Sequence, residues 1–387
     1  MRNVLIRAPL LSISGYGVHS RQIYRWLKTY EDINVRTHIV NWGRTSWLVN
    51  PDLHDGLVGD IMKSSTSEHK GFDLSIQVQL PNEWDPNLSR INVGVTAAVE
   101  TDRCNPEWVE CCNKMDAIIV PSNHTKNVLM NSGNLNVPVY VIGESYFDEI
   151  ETPQLPELDI ELNTDFNFLI LGQMTGNNSE NDRKNMFNTL KWLCEEFKDD
   201  PDVGIIVKTN SGRGTKIDRK LTGNILRNVL KQIRPGPYPR IHFLHGNMSQ
   251  SEIASLYRNK KVKALVSCTR GEGFGLPLLE ASASGLPVIA TNWSSHPEFL
   301  NLGKWLKLPY ELKEIDESRI DNSIFMQGSM WAEVNEFDFK KIIRKFYNKP
   351  QKPQEWAKQV VSEIRKNYSQ AAICEKYDEV FRKICMK

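Results

Sequence analysis

The chain has 387 residues, of which 40% are hydrophobic and 25% charged, and a formal net charge of +1. This length exceeds one ordinary hydrophobic core, so two domains are expected, and the balanced charge argues against binding of a long polyanion along the whole chain. Apolar runs fall short of the roughly 18 residues that a membrane-spanning helix needs, and the seven scattered cysteines form no CxxC pair, which indicates neither a disulfide framework nor a Cys-rich metal site.

The first half of the chain alternates strands with helices. Arg7 interrupts the apolar N-terminal stretch, which we interpret as a first strand rather than a signal peptide. Strands are predicted at 3–10, 33–40, 74–80, 92–100, 117–122 and 138–143, and helices at 18–30, 108–115 and 123–132. Such alternation predicts a mainly parallel, doubly wound sheet.

The segment 145–165 breaks this rhythm, because it is acidic, carries two prolines and has no hydrophobic period. We interpret it as a linker between two domains, 1–145 and 146–368. The alternation then resumes with strands at 167–172, 203–209, 241–246, 264–269 and 287–291, helices at about 183–198 and 217–234, and a helical tail over about 336–387. Ligands of open α/β sheets bind just after strands, so the sites are expected there.

The stretch 271–290, GEGFGLPLLEASASGLPVIA, is the most informative part of the sequence. From Gly273 through Pro297, Glu280 is the single formally charged residue, and Glu272 stands just before this segment. A carboxylate in so apolar a segment is costly to bury unless another group pairs with it. Glu280 therefore indicates a contact with a ligand, an ion pair with an arginine, or a cap on a neighbouring backbone group.

Glycines 271, 273 and 275 lead from the strand at 264–269 into a helix predicted near 275–285. A helix start offers backbone N–H groups and a partial positive charge, which suit a phosphate, and glycine allows close approach. Glu280 lies about five residues into this helix, roughly 7 to 8 Å along it. A nucleoside diphosphate sugar fits this layout, with its sugar hydroxyls at Glu272, its phosphates at the helix start and its ribose hydroxyls at Glu280. The alternative is a plain glycine turn with a solvated Glu272.

This stretch resembles the signature of retaining glycosyltransferases with the GT-B fold, family 4, also called glycosyl transferases group 1. These enzymes carry Glu, seven residues and Glu in an EGFGLPLLEA-type motif before a GxPVIA strand, which correspond to Glu272, Glu280 and Gly285–Ala290. The segments LHGNMSQSEIASLY (244–257) and ETDRCNPEWVECCNKMDAIIVPSNHTK (100–126) extend the resemblance.

The resemblance implies a fold of class α/β, with two doubly wound Rossmann-like domains facing a cleft. The domain at 1–145 would bind the acceptor, and the domain at 146–368 would bind a nucleotide sugar. The C-terminal helix, 369–387, would cross back to the first domain.

The resemblance also assigns donor contacts around the motif. They are Gly273, Phe274, Gly275, Leu276 and Glu280, with Glu272 as a catalytic residue. Met248 follows the strand at 241–246, in a loop whose backbone would read the nucleobase.

Two adjacent cations, Arg183 and Lys184, stand at the predicted start of helix 183–198 and could neutralise a diphosphate leaving group. Lys184 matches a lysine of the family, whereas Gln173 replaces the arginine that relatives carry directly after the glycine. Either Arg183 takes over that role or the phosphate clamp is weaker. The alternative is a solvated pair at a helix start.

In the first domain, the turn SGYG contains Gly15 and Gly17, whose backbone N–H groups would face the donor phosphate and the acceptor by resemblance. A plain tight turn is the alternative. Glu100 stands where many relatives have a histidine, and it would bind a sugar hydroxyl or assist the acceptor. Its alternative is an ion pair with Arg103.

The resemblance implies a retaining glycosyltransferase that moves a hexose from a nucleotide-diphosphate sugar, UDP- or GDP-linked, to an acceptor hydroxyl. We expect no cofactor beyond this co-substrate and no metal ion, because no Asp-x-Asp clamp is recognisable. The acceptor stays open between a glycan, a lipid-linked sugar and other hydroxyl compounds, and nucleic acid is not favoured.

Two alternatives remain at this stage, a non-catalytic nucleotide-sugar-binding protein and an epimerase-like enzyme on the same fold. We expect a cytoplasmic location. No basic amphipathic helix stands out in the sequence, and peripheral membrane attachment is left open.

Overall fold

A computed structural model describes residues 2–43, 45–68 and 71–385. The chain forms two compact units. Unit 1 comprises Met1–Ser145, Asn322–Met326 and Gln370–Lys387, and unit 2 comprises Tyr146–Asp321 and Gln327–Ser369.

Unit 1 is built on a six-stranded parallel sheet in the order β2-β1-β3-β4-β5-β6. Its strands are β1 (Arg2–Ala8), β2 (Ile33–Ile39), β3 (Leu74–Val78), β4 (Ile91–Val95), β5 (Ala117–Val120) and β6 (Val139–Val141). Its helices are α1 (Gly15–Leu27), α2 (Leu57–Lys63), α3 (Pro106–Cys112), α4 (Asn123–Ser132) and α12 (Gln370–Cys385). Every residue of β3 and β5 is buried, as expected for strands covered on both faces.

The strand predicted over 92–100 is shorter in the structure. β4 ends at Val95, and the chain continues in an irregular conformation in which Ala98 adopts a φ of +50°. Glu100 therefore lies five positions beyond the end of the strand, in the loop before α3, rather than at its last position.

Helix α12 packs against α1 inside unit 1, which confirms the expectation that the C-terminal helix returns to the first domain. The ring of Trp26 stacks on Tyr377 with centroids 4.9 Å apart, and its indole N–H donates to Asp378 at 2.7 Å. The buried His19 ring contacts the Tyr377 hydroxyl at 3.0 Å. Aromatic packing joined to buried hydrogen bonds fixes the register of this helix pair.

Unit 2 contains a second six-stranded parallel sheet, in the order β12-β11-β10-β7-β8-β9, and an antiparallel pair, β13–β14. Its strands are β7 (Phe166–Leu171), β8 (Val203–Thr209), β9 (Arg240–His245), β10 (Val262–Ser267), β11 (Val288–Thr291), β12 (Leu306–Leu308), β13 (Tyr310–Glu314) and β14 (Met330–Val334). Its helices are α5 (Met186–Glu196), α6 (Lys216–Ile233), α7 (Gln250–Arg258), α8 (Leu276–Ala283), α9 (Pro297–Leu300), α10 (Glu336–Asn348) and α11 (Gln351–Tyr368).

This strand order is the Rossmann order, whose direction reverses between β7 and β10. The loops that follow these two strands therefore leave the sheet side by side, although β10 comes long after β7 in the sequence. The expectation of an α/β protein with two doubly wound Rossmann-like units is confirmed.

The segment 145–165 is not a free linker. Tyr146, Ile150 and Leu162 are buried in the core of unit 2, together with residues of α7 and α8, and the partly buried Leu155 and Leu158 pack against the same cluster. Acidic residues between these apolar positions mask the pattern in the sequence. The segment is an extended strap on unit 2.

Candidate functional site

The best-defined constellation of charges in unit 2 lies where the loops after β7 and β10 meet. These strands pair in parallel at the reversal of strand order. The loop after β7 carries Arg183 and Lys184, and the loop after β10 carries Glu272. The fold thus joins two stretches that are far apart in the sequence.

Lys184 and Glu272 form a nearly buried ion pair. The Lys184 ammonium donates to both carboxylate oxygens of Glu272, at 2.6 and 2.7 Å, and a guanidinium nitrogen of Arg183 lies 3.8 Å from the carboxylate. Burial alone favours the neutral acid, but the two cations outweigh it and lower the pKa of Glu272 to about 2. Glu272 is therefore a fixed, ionised carboxylate at neutral pH.

The sequence predicted Arg183 and Lys184 at the start of a helix, but in the structure both lie before α5. The helix begins at Met186, and the two cations belong to the preceding loop. Asp182 organises the turn: one carboxylate oxygen accepts from the Met186 N–H at 2.8 Å, and the other accepts from the N–H and hydroxyl of Thr175. The two cations are held by a closed loop rather than by a helix.

Arg270 is a structural cation that the sequence reasoning missed. It is 1% exposed, donates to Glu333 of β14 at 2.7 Å and also donates to the carbonyl oxygens of Ser179 and Asp182. Its guanidinium lies over the Trp331 ring, 5.0 Å from the centroid. An arginine directly after a buried strand was the available signal. Arg270 fixes the loop that presents Lys184.

The helix predicted near 275–285 is α8. Gly275 precedes it with a φ of +98°, which favours glycine, and a Cβ there would make a tight 3.2 Å contact with the Cβ of His296. Pro277 has no N–H, and the N–H of Leu278 bonds back to the Gly275 carbonyl at 2.9 Å. The N–H groups of Gly275 and Leu276 are those that this helix start could offer to a phosphate.

The loop after β11 supports the glycine turn, a role that the sequence did not reveal. The Ser295 hydroxyl lies 2.7 Å from the carbonyl oxygens of both Glu272 and Gly273, and the Ser294 hydroxyl accepts from the Glu272 N–H at 3.0 Å. Ser294 adopts a φ of +74° to do so. His296 is fully buried beside the turn, and burial lowers its pKa to about 4, so the ring is neutral.

Glu280 is placed differently from Glu272. It lies partly buried on α8, and its carboxylate accepts one hydrogen bond, from the Tyr257 hydroxyl of α7 at 3.1 Å. Burial raises its pKa to about 8, and no cation among the described residues lowers it. The alternative in which Glu280 pairs with an arginine is therefore wrong. A single phenol leaves most of the acceptor capacity of this carboxylate unused.

Of the other residues predicted to contact the sugar donor, some are buried in the core and others lie at the surface. The Phe274 side chain is buried in the core of unit 2, 5.4 Å from the Phe299 ring by centroid, so its side chain serves packing. Leu276 and Met248 are partly buried against the same core. Gln173 is exposed just after β7. The Phe274 side chain thus anchors the glycine turn, whose residues 271–275 are all buried.

Lys208, at the end of β8, is nearly buried, and burial lowers its pKa to about 8. Its ammonium donates to the carbonyl oxygen of Gly246, which follows β9. The adjacent Asn210 donates to the Asn247 side chain at 2.6 Å. These contacts tie the loop before Met248 to the end of β8, which positions the backbone predicted to read a nucleobase.

The predicted residues of unit 1 gather near Tyr16, whose hydroxyl contacts Thr96 at 3.0 Å. Gly15 and Gly17 form the first turn of α1 rather than an open loop: the Gly17 N–H donates to the Ser14 hydroxyl at 3.1 Å, and a Cβ at position 17 would clash with the Ser12 carbonyl. The Gly17 N–H is therefore used within the chain.

Arg103 pairs with Asp102 at 3.5 Å. Burial raises the pKa of Tyr16, and the charge of Glu100 adds to this rise. Arg103 therefore has Asp102, two residues after Glu100, as an ion-pair partner, and the role of Glu100 stays a prediction.

Residues 238–360 match the family model described as glycosyl transferases group 1. This segment is similar in sequence to the glycosyl transferases group 1 family. It includes the glycine turn, Glu272 and Glu280, so the resemblance inferred from the motif is confirmed there. Lys184 lies outside the group 1 segment and reaches it through the fold. No curated protein is significantly similar to the chain in sequence.

Solved structures resemble the chain over its whole length. A glycosyltransferase from Rickettsia africae has 14% identity and a TM-score of 0.68, with 99% of this chain and 98% of that chain covered. Sucrose-phosphate synthase from Thermosynechococcus elongatus has 13% identity and a TM-score of 0.63, with both chains fully covered. Anabaena HepE, solved in complex with UDP-glucose, has 13% identity and a TM-score of 0.61, with 99% and 100% covered. At such identities the likeness establishes the GT-B fold alone.

Proposed function

We propose that this protein is a glycosyltransferase that takes its donor, a nucleotide-diphosphate sugar, in unit 2. The observation that carries the proposal is the state of Glu280. It is a partly buried carboxylate on the helix after the glycine turn, with a raised pKa and one phenolic hydrogen bond. A group in this state is stabilised by a ligand that brings hydroxyl donors to it.

A ribose diol is such a ligand. Its two hydroxyls can donate to both oxygens of Glu280, which restores the hydrogen bonds that burial removed and lowers the pKa of the carboxylate. Since a pKa of about 8 keeps Glu280 largely protonated at neutral pH, the diol would select the ionised carboxylate as it lowers this pKa. The phosphates would lie further along, at the start of α8.

The Lys184 and Arg183 side chains supply the positive charge for the diphosphate. Both lie beside the glycine turn that precedes α8. We propose that Lys184 shifts part of its hydrogen bonding from Glu272 to the leaving phosphate, where negative charge develops during transfer. Glu272 would then accept hydrogen bonds from hydroxyls of the donor sugar.

We extend the proposal to a hexose and to transfer with retention of configuration, on the resemblance of the Glu272-to-Glu280 spacing to family 4. In that reaction the leaving diphosphate takes the acceptor proton, so no strong protein base is required. Two cations and the helix start would carry the phosphate charge without a metal ion. Unit 1 would bind the acceptor, with Glu100 near Tyr16 as a candidate contact. Because HepE binds UDP-glucose, a UDP-sugar is the first donor to test.

Titration calorimetry tests the donor site directly. UDP, GDP, ADP and their sugar conjugates are titrated into the wild type, Glu280→Gln and the control Glu363→Gln, which alters an exposed glutamate on α11 of the same unit. One nucleotide should bind the wild type and the control equally, and Glu280→Gln should bind it about tenfold or more weakly, as for loss of a charge-assisted hydrogen bond. Equal nucleotide affinity in the wild type and Glu280→Gln contradicts the proposal, and so does the absence of binding by any of these nucleotides.

One observation favours a second candidate, a binding protein without turnover. Gln173 is exposed after β7, where the family carries an arginine, so the phosphate clamp holds one cation fewer. Release of nucleoside diphosphate in the presence of protein distinguishes the two candidates. Release that disappears in Lys184→Ala removes the binding-only candidate, and tight donor binding without any release removes the transferase. If the missing arginine matters, Gln173→Arg should tighten donor binding.

A further inference from the structure

Helix α6 presents an exposed row of large apolar side chains to solvent. Ile217, Leu221 and Ile225 are 71%, 56% and 52% exposed. They are spaced four residues apart, so they follow one another along one face of the helix over about two turns. Three exposed aliphatic side chains in register are unusual on a helix of a globular domain.

This row does not belong to the core of unit 2. The face of α6 that packs on the sheet is a different one, formed by the buried Thr222 and Leu226 and by the partly buried Val229, Leu230 and Ile233. Helical geometry turns each residue by about 100°, which places these positions on the side of the helix away from Ile217 and Leu221. α6 therefore has one broad apolar arc, and its edge at Ile217 and Leu221 extends beyond the buried face into solvent.

Basic residues concentrate around α6. The segment 213–240 contains eight Lys and Arg residues and one acidic residue, Asp218, which gives a formal charge of +7. Since the whole chain carries +1, all other residues together carry −6. The positive charge of this protein is therefore a local feature of α6 and its flanks.

Basic side chains lie along one edge of the apolar row. Lys220, Arg227 and Lys231 are exposed and fall within about 100° of Ile217 around the helix. Asp218 does not neutralise them, because its carboxylate accepts from the N–H groups of Arg213 and Thr215 and from the Thr215 hydroxyl at the start of the helix. The result is an apolar row bordered by a row of cations.

We propose that α6 docks on an anionic lipid bilayer, lying in the plane of its surface. The apolar row would enter the boundary between head groups and acyl chains, and the bordering cations would contact anionic head groups. α6 lies before the group 1 segment at 238–360, so the family match assigns it no role. Among the described residues, no helix is long and apolar enough to cross a membrane, so attachment would be peripheral.

Charge favours a bilayer over other occupants. A symmetric pair of α6 helices would place one row of cations against the other, which disfavours a second copy of this chain. A nucleic acid would use the cations but would leave Ile217, Leu221 and Ile225 in water. An anionic bilayer uses both rows at once.

The sequence reasoning missed this surface. It predicted a helix over 217–234 and assigned no exposed face to it, because a sequence alone does not show which part of an apolar arc is buried. α6 is a basic amphipathic helix that the sequence analysis did not identify.

Vesicle co-sedimentation with the full chain tests the proposal. Vesicles of phosphatidylcholine alone are compared with vesicles that also contain phosphatidylglycerol, at low and high salt. The variants are a triple change of Ile217, Leu221 and Ile225 to Ser and a triple change of Lys220, Arg227 and Lys231 to Gln. The matched control is Phe337→Ser, which removes a 72% exposed apolar side chain from α10. All substituted side chains are exposed, so the fold should persist.

We expect binding to the anionic vesicles that weakens about tenfold or more in each triple variant and with salt, while Phe337→Ser binds as the wild type. Nucleotide binding by calorimetry should be unchanged in all three variants, which separates failure of this proposal from failure of the donor site. Absence of binding to anionic vesicles overturns the proposal. Equal vesicle binding by the wild type and the serine variant also overturns it. So does a wild-type dimer, seen by sedimentation, that the serine variant does not form.

Discussion

Glu272 and Glu280 lie eight residues apart in the same apolar stretch, yet their electrostatic states are opposite. Lys184 and Arg183 hold the pKa of Glu272 near 2, whereas burial without a cation raises the pKa of Glu280 to about 8. The chain itself completes the environment of the first carboxylate and leaves that of the second open. We infer that Glu272 is positioned in advance and that Glu280 is satisfied by the ligand.

The largest effect is expected from Lys184→Ala, which removes the closer of the two cations and leaves Glu272 with Arg183 at 3.8 Å. Removing one partner of a nearly buried ion pair should lower the free energy of unfolding by about 3 kcal/mol. If Lys184 also stabilises the leaving phosphate, turnover should fall by about 100-fold. Chemical denaturation and a nucleotide-release assay measure the two effects.

Lys191→Ala is the matched control, because Lys191 pairs with Glu195 at 3.9 Å on the exposed side of α5. It should change stability by less than about 0.5 kcal/mol and leave turnover intact. Equal effects of the two lysine variants would mean that the Lys184–Glu272 pair has no special role.

Glu272→Gln tests how the stability that Glu272 contributes depends on pH in the acid range. The folded pKa of Glu272 is about 2 and its ordinary value is 4.5, so its stabilisation is complete above about pH 4.5 and is lost as the pH falls toward 2. The variant should be less stable than the wild type by about 2 kcal/mol at neutral pH, with a gap that narrows in acid. Urea unfolding at several pH values checks this, and a gap that does not depend on pH contradicts it.

Glu280→Gln should show the reverse dependence. Because the folded pKa of about 8 lies above the ordinary 4.5, the wild type loses stability as the pH rises between these values, and the amide does not. The difference in Tm should move in favour of Glu280→Gln over this window. A parallel rise in nucleotide affinity with pH, present in the wild type alone, would show that the ligand selects the ionised carboxylate.

Tyr257→Phe should give the smallest effect, because it removes one hydrogen bond from Glu280 and leaves the packing of α7 intact. We expect a loss of about 1 kcal/mol in stability and a further rise in the pKa of Glu280. The pH dependence of Tm in this variant reports the pKa. A lower pKa in Tyr257→Phe would mean that the phenol is not the main donor to this carboxylate.

Most of the fold was accessible from the sequence because buried parallel strands are continuous apolar runs. β8 is found at the predicted positions, and β7, β9 and β11 begin within one residue of them. The pair β13–β14 was missed, since every residue of β13 is exposed and gives no apolar run. The strand order also escapes the sequence, because it depends on pairing between distant segments.

The site was less accessible, for a reason that Phe274 and Arg270 illustrate. The motif marks both as neighbours of a glycine turn, but a single sequence does not show which side chains turn inward. Phe274 packs in the core although it was a predicted donor contact, and Arg270 anchors the loop although it had no predicted role. The pairing of Lys184 with Glu272 required knowledge of which strands are adjacent.

The pairing of β7 with β10 determines when the Lys184–Glu272 ion pair can form during folding. Lys184 and Glu272 are 88 residues apart in the sequence, and β10 must dock beside β7 before they can meet. A nascent chain that has been synthesised only as far as β9 would contain Arg183 and Lys184 but neither Glu272 nor Glu280. Formation of the ion pair is therefore tied to closure of a long-range contact, and the protein acquires its charged centre late, as a product of completed sheet assembly.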